Sequence, residues 1–338
     1  MSAQLPIAVT LGDPNGIGPE IAVKAAAQAL ETNGTPVVLV GDRYVVEHYG
    51  KLVAPTLSIV DASSNKAGIR LLAVEALPPK HFAPGRVDPE AGRATVAYLR
   101  AAMDAVGAGQ ARGIIGCPHN ETAINAAGIT FSGYPGLIAE LSGLTEDEVF
   151  LMLIGGGLRI VHVTLHEQLS KSLGRLTPDL VVAAAKTADA ALRQLGIAKP
   201  RIGVFGINPH AGEDGLFGDD DERITKPAVA RLQAEGLQAE GPVGADLMLG
   251  RKDIDCFVAM YHDQGHVPVK LVAGRHASAL SIGGKALFSS TGHGSAFDIA
   301  GQGVADPEGV LRAINLISGV TYSVSQLDLV ERHEDASK

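Results

Sequence analysis

The sequence predicts an α/β protein built on a mostly parallel sheet with helices on both faces. Short apolar, partly β-branched runs alternate with amphipathic or alanine-rich runs along the whole chain. Several apolar runs end abruptly in glycine, asparagine or histidine, as strands do at the carboxyl edge where open α/β sheets place their ligands. At 338 residues the chain is also long for a single core, so two α/β domains, or two lobes of one, are expected.

Taken in order, Ile7 to Leu11 reads as a first strand. A glycine-rich turn, Gly12-Asp13-Pro14-Asn15-Gly16-Ile17-Gly18, leads into a helix with Pro19 in its first turn and Glu20 complementing the helix dipole. This turn reads equally as an anion-binding edge or as a structural bend, because the Gly-x-Gly-x-x-Gly spacing is absent. Val37 to Val40 is a second strand, with weaker ones at Leu57–Val60 and Leu71–Val74, and Ala91 to Val106 has helical periodicity. Gly113 to Gly116 is a short buried strand ending at Cys117-Pro118-His119-Asn120, and 131–136 is a turn before a helix starting near Leu137.

Val149–Ile154 and Leu158–Leu165 flank three glycines and read as a hairpin. In the second strand His162 reads as a packed or solvated residue, and His166, where the strand gives way to a helix near Glu167, as the better ligand. Thr177 opens a long alanine-rich helix. Arg201 to Ile207 is a buried strand ending in Asn208-Pro209-His210-Ala211-Gly212, and 219–222 reads as a solvated acidic loop. Gly241–Asp246 reads as a loop delivering Asp246 to a helical turn. Asp255–Met260 is a strand followed by Tyr261-His262-Asp263-Gln264-Gly265, Ala279–Ile282 is another, and Val310–Ile317 is the last helix.

Composition narrows the function. Net charge is −9 with no basic cluster, which argues against nucleic acid and anionic membrane surfaces as partners. Two cysteines, Cys117 and Cys256, build neither a disulfide framework nor a zinc site, and no leader or apolar span is evident, so a cytoplasmic protein is expected. Three strand-end histidines, His166, His210 and His262, are candidates to share one divalent metal ion, with zinc foremost and Mg, Mn or Co as alternatives. Asp246 and Asp263 are candidates for a fourth ligand, an outer partner or a proton acceptor, and Lys270 for a carboxylate clamp or a general base.

Two blocks, Gly12 to Glu20 and His293 to Gly303, resemble the isocitrate/isopropylmalate dehydrogenase superfamily. More closely, Asn208–Glu213, Gly241-Pro242 with Ala245-Asp246, and Tyr261–Gly265 with Lys270 resemble the 4-hydroxythreonine-4-phosphate dehydrogenase family almost end to end. The resemblance implies a three-layer αβα fold of two lobes with the active site in the cleft between them. It divides the chain into a cofactor-side lobe, 1–115 plus 275–338, and a central metal and dimerisation lobe, 116–274. It implies NAD, or NADP, held by Gly12, Asp13, Gly16, Gly18, His293, Gly294, Ser295 and Asp298. It also implies metal ligands His166, His210 and His262, catalytic Lys270, Asp246 and Asp263, and a homodimer with the active site at its interface.

Departures from the family pattern point to the substrate. The family's Gly-His-Thr-Glu motif falls on Gly133-Tyr134-Pro135-Gly136, and its substrate-contacting Asn and Arg fall on Ala279 and Phe288. Losing an amide and a guanidinium removes planar donors for an anion. Together with Cys117–Ile124, Leu158–Glu167 and Asp263–His266, this resembles the terephthalate cis-dihydrodiol dehydrogenase branch. A dicarboxylate would then contact Tyr134, Pro135, His119, Asn120, Lys270, Ala279 and Phe288, with His266, Ser289 or Ser290 as further candidates for its distal carboxylate. The rival readings are a phosphorylated hydroxy acid as substrate, and a non-catalytic metal- or nucleotide-binding protein.

Overall fold

The computed structural model describes residues 5–32, 35–131, 133–274, 277–284, 286–291 and 294–319. The chain forms two compact units, one from residues 1–145 with 284–320 and one from 146–283. Segment 116–145, expected in the other lobe, packs in the first unit.

In the first unit β1 (Ile7–Thr10), β2 (Val37–Gly41), β3 (Ile59–Asp61), β4 (Ile69–Ala73), β5 (Gly113–Gly116) and, after the chain returns, β12 (Leu287–Ser290) run parallel in the order β3-β4-β2-β1-β5-β12. Every residue of the central β1 is buried, which is why it is apolar up to Thr10, whose hydroxyl donates to the Ile115 carbonyl. Helix α1 (Gly18–Glu31) packs with α2 (Arg43–Val53) and α11 (Glu308–Ser318), while α3 (Pro89–Gly107) packs with α4 (Glu121–Ala126) and on β1, β2 and β5. Helix α5 begins at Tyr134 and runs to Ser142, three residues before the expected start, because Pro135 suits a first helical turn.

Buried charge stitches this unit together. Glu20 is fully buried and, beyond favouring the α1 dipole, accepts from Gly303 N–H at 3.0 Å, Ala305 N–H at 2.7 Å and Lys24 Nζ at 2.9 Å. Lys24 also donates to the Gly303 and Ala305 carbonyls. The turn between β1 and α1 is equally packed: Gly12 has φ +67°, and a Cβ there would sit 2.2 Å from the Pro118 carbonyl oxygen. Asp13 is fully buried; its Oδ1 accepts from Asn15 N–H at 2.8 Å, and its Oδ2 has no partner among the described residues. Burial pushes its carboxyl up to about 7, with the Asn15 hydrogen bond opposing and Asp88 adding.

In the second unit β6 (Phe150–Gly155), β7 (Leu158–His162), β8 (Arg201–Phe205), β9 (Gln238–Val243), β10 (Cys256–Ala259) and β11 (Ser278–Ile282) are ordered β11-β6-β7-β10-β8-β9. β6 is antiparallel to β11 and β7, and the other pairs are parallel. The helices are α6 (Leu169–Arg175), α7 (Pro178–Gln194), α8 (Lys226–Ala234), α9 (Ala245–Met248) and α10 (His262–Ala273). Thr177 caps α7 by accepting from Leu180 N–H, and the buried Ala184, Ala185, Ala188 and Ala191 let that helix lie close on the sheet. The core beneath the site holds Ile160, Phe205, Met248, Phe257 and Val269, with Phe205 and Phe257 stacked at 5.5 Å.

Three local expectations change. Gly241–Val243 belongs to β9, an edge strand, where Pro242 needs no ladder partner. β7 ends at His162 instead of Leu165, because Thr164 Oγ1 donates to the Met260 carbonyl at 2.7 Å and accepts from Ser172, turning the chain toward α6. Asp221 is no solvated loop residue: it is fully buried and accepts from Ile207 N–H, Asn208 N–H and Thr225 Oγ1 at 2.8, 3.0 and 2.6 Å. No helix of the described residues is long and apolar enough to cross a membrane.

Two stability predictions follow from the buried charges. Glu20→Ala removes the acceptor of the Gly303 and Ala305 N–H groups, so it should cost about 1–3 kcal/mol in urea unfolding. For Asp13 the folded state holds its proton more tightly than the unfolded chain, whose value is 3.8. Its contribution is fully present below pH 3.8 and is lost as pH rises toward 7. Asp13→Asn should therefore be more stable than the parent at pH 8, with a flatter stability profile across that window; an unchanged profile contradicts the assignment.

Candidate active site

The neighbours β7, β10 and β8 are parallel, so their carboxyl ends share one edge of the second unit. His166, His262 and His210 follow those ends. Gln264, in the first turn of α10, couples two of them: its Oε1 accepts from Met260 N–H at 2.7 Å and its Nε2 donates to the Gly206 carbonyl at 2.8 Å. A cavity of about 280 Å³ opens beside them, lined by His166, Glu167, Tyr261, His262 and Asp263 among others.

The histidines form a row. The rings of His166 and His262 lie 5.3 Å apart, and His262 stacks on His266 at 3.7 Å with 12° between planes. His266 Nδ1 is 3.0 Å from His162 Nε2, and His162 Nδ1 is 3.1 Å from the Leu151 carbonyl oxygen. His262 and His266 share a face because they are one turn apart on α10, and Lys270, exposed, follows one turn further on. Gly265 permits the contact: a Cβ there would lie 2.4 Å from His162 Nε2. Burial, reinforced by His266, holds His162 down at about 3; burial, reinforced by His262, holds His266 at about 4. Both rings are neutral across the physiological range.

Asp263 Oδ1 lies 2.6 Å from His262 Nδ1. A carboxylate there accepts the Nδ1 proton and leaves Nε2 as a free lone pair, the arrangement that orients an imidazole for a metal. Asp263 thus orients His262, where the sequence allowed it ligand or proton-acceptor roles as well.

His210 stands apart from this row. Its side chain is 71% exposed, its Nδ1 is 3.2 Å from Glu213 and its ring meets Phe217. His210, Ala211, Glu213 and Asp214 all have positive φ, between 42 and 55°, which non-glycine residues rarely adopt. Asp246 is exposed in α9, and Gly244 leaves room for its carboxylate near the His210 backbone. Among the described residues no three side chains of His, Cys, Asp or Glu from one chain converge to hold a metal. His166 and His262 supply two neighbouring imidazoles, a donor type suited to a divalent ion. Ala279 lies in β11, opposite Leu153.

The remaining predicted residues lie in the first unit. Tyr134 and Phe288 are buried, 6% and 1% exposed, with rings 4.5 Å apart, so they pack as core instead of lining an open pocket. Tyr134 donates to the Cys117 carbonyl at 3.1 Å, and His119 lies edge-on to it at 4.5 Å. Asn120 caps α4 by accepting from Ala123 N–H, and Pro135 sits in the first turn of α5. Ser289 is buried in β12, which Ser290 ends. Gly12, Asp13, Gly16 and Gly18 are all buried, and Ser295 holds their loop by accepting from Ile17 N–H through its carbonyl while its hydroxyl donates to the His119 carbonyl. That leaves Gly294 and Asp298 as the exposed members of the expected cofactor set; His293 lies outside the described residues. Sequence reasoning missed Gln264 and Asp221 and passed over His162; the four-residue spacing of His262 and His266 was the available signal.

The protein family described as "Pyridoxal phosphate biosynthetic protein PdxA" matches residues 32–317. A 1,2-dihydroxy-3,5-cyclohexadiene-1,4-dicarboxylate dehydrogenase of a Comamonas species is 48% identical over 311 residues, 92% of this chain and 96% of that one. The crystal structure of a terephthalate 1,2-cis-dihydrodiol dehydrogenase from Burkholderia xenovorans LB400 is similar with TM-score 0.80 and 52% identity, covering 94% of this chain and 98% of that one. That of a 4-hydroxythreonine-4-phosphate dehydrogenase from Burkholderia phymatum gives TM-score 0.84 and 36% identity, covering 94% and 99%. The fold is therefore the isocitrate/isopropylmalate dehydrogenase type expected from the sequence. By the extent of these matches the chain belongs to the PdxA family, and it is a dehydrogenase.

Proposed function

We propose that this chain oxidises and decarboxylates terephthalate cis-dihydrodiol, 1,2-dihydroxy-3,5-cyclohexadiene-1,4-dicarboxylate, to protocatechuate and CO2, using NAD and a divalent metal. The observation that carries the reading is the 48% identity, across nearly the full length of both chains, to an enzyme named for that substrate.

The chemistry follows from the substrate's bonds. Loss of hydride from the ring carbinol leaves a ketone β to a carboxylate. The carbon–carbon bond to that carboxylate then breaks, its electron pair closes the aromatic ring, and the departing hydroxyl proton is matched by one regained at the phenolate. NAD+ is the hydride acceptor, held on the side of the first unit where Gly294 and Asp298 are exposed. His166, His262 and His210 would hold a divalent ion, which would supply Lewis acidity for the diol. Asp263 keeps the His262 Nε2 lone pair free for it. Lys270, one turn beyond His266 on α10, and Asp246, beside the His210 backbone, are the proton-transfer groups, with Lys270 first.

The site is completed across a homodimer, His210 coming from the second copy. Its outward presentation supports this, as do the large apolar side chains left exposed in the second unit: Leu216, Leu247 and Leu271 are 69–81% exposed.

Two measurements test the reading. Steady-state assays with NAD+ should show turnover of the dihydrodiol with release of CO2; turnover of 4-hydroxythreonine 4-phosphate alone would overturn it. Inactive His166→Ala and His210→Ala chains, co-expressed, should regain roughly a quarter of parental activity, because half the dimers are mixed and each carries one intact site. Continued inactivity of the mixture would place all three histidines in one chain.

A further inference from the structure

The pair His162–His266 is unassigned by the reaction above, yet it joins a buried strand residue to the helix that carries His262. His162 is 1% exposed and both its ring nitrogens are engaged. Their roles can be deduced. The Leu151 carbonyl can only accept, so His162 Nδ1 carries the proton. Leu151 is directly opposite His162 in the β6–β7 ladder, so this bond is set by strand register. A neutral, buried His162 then has only a lone pair at Nε2, and the group 3.0 Å away, His266 Nδ1, has to be the donor.

We propose that His162 is a positioning residue: it holds His266 as the Nδ1–H tautomer, leaving His266 Nε2 as an acceptor for a substrate hydroxyl beside His262. This rests on the diol reading above. It also revises one expectation from the sequence. A neutral ring whose single N–H is spent on His162 has no donor for a carboxylate, so His266 is suited to the hydroxyl end of the substrate and not to its distal carboxylate. The stacked geometry adds a second effect. His266 lies parallel to His262 at 3.7 Å, so fixing one ring limits rotation of the other.

The test begins with the metal-free full-length protein, 15N-labelled at histidine. Long-range proton–nitrogen NMR distinguishes a protonated from a bare ring nitrogen, and a His266→Gln variant identifies the His266 signals. The parent should show a protonated Nδ1 and a bare Nε2 at His266. His162→Phe should shift that residue toward the other tautomer, and His162→Gln, whose amide can accept from His266 and donate to Leu151, should restore it. With the dihydrodiol, His162→Phe should lower kcat/KM roughly 10–100-fold, as loss of an outer hydrogen-bond partner does elsewhere, and His162→Gln should recover most of it. A protonated Nε2 at His266 in the parent overturns the proposal whatever the substrate is. So does an unchanged tautomer in folded His162→Phe, or a changed tautomer with unchanged kcat/KM. The parent measurement needs neither substrate nor variant fold, so a wrong substrate assignment and a wrong tautomer assignment are read separately.

Discussion

The second unit depends on how closely the first turns of α10 approach the sheet. Gly265 faces His162, and any side chain there would collide with the imidazole. One residue earlier, Gln264 bonds to backbone at the ends of both β8 and β10. These two contacts set the height and rotation of the helix. Once they are satisfied, His262 emerges at the strand edge and His266 falls between it and His162. The functional row is thus a consequence of backbone proximity more than of interactions among the histidines.

The first unit uses the opposite device, burying charge to join segments distant in sequence. Glu20 and Lys24 hold the 303–305 backbone, and Ser295 ties Ile17 to His119. Buried charges cost solvation, so such contacts persist where every oxygen and proton finds a partner. Glu20 meets that condition; Asp13 does not among the described residues, since Oδ2 has no partner there. The two blocks that resemble a nucleotide-binding superfamily are in this way packed together, and Gly12, Gly16 and Gly18 serve close backbone approach.

Much of this was legible in the sequence, for identifiable reasons. Strands buried on both faces, such as β1 and β5, are apolar or nearly so, and α7 announces itself by Thr177 and its alanines. What escaped was decided by tertiary context. β9 carries Gly241-Pro242, which reads as a turn unless the strand is known to lie at an edge. α10 contains Gly265 and Pro268, both of which argue locally against a helix. Asp221 looks like one acid in an exposed run, and its burial arises only because the chain after β8 needs acceptors for Ile207 and Asn208. The three strand-end histidines were visible as a set, but that two share a cavity while the third faces outward depends on loop geometry with no sequence pattern.

That third histidine sits in a strained backbone segment, where four of the five non-glycine positive-φ positions among the described residues fall. Four non-glycine residues at positive φ cost on the order of 1–3 kcal/mol each, and exposed His210 has Phe217 as its ring neighbour. The compensation comes from Asp221, whose three hydrogen bonds anchor the loop at Ile207 and Asn208, and from Ala211 N–H bonded back to Asn208. A loop held this firmly, in a conformation this unfavourable, presents its imidazole at a fixed place in solvent. Folding of one chain gains nothing from that placement. That fixed, exposed placement is what the proposed role of His210 as a ligand for a neighbouring copy requires.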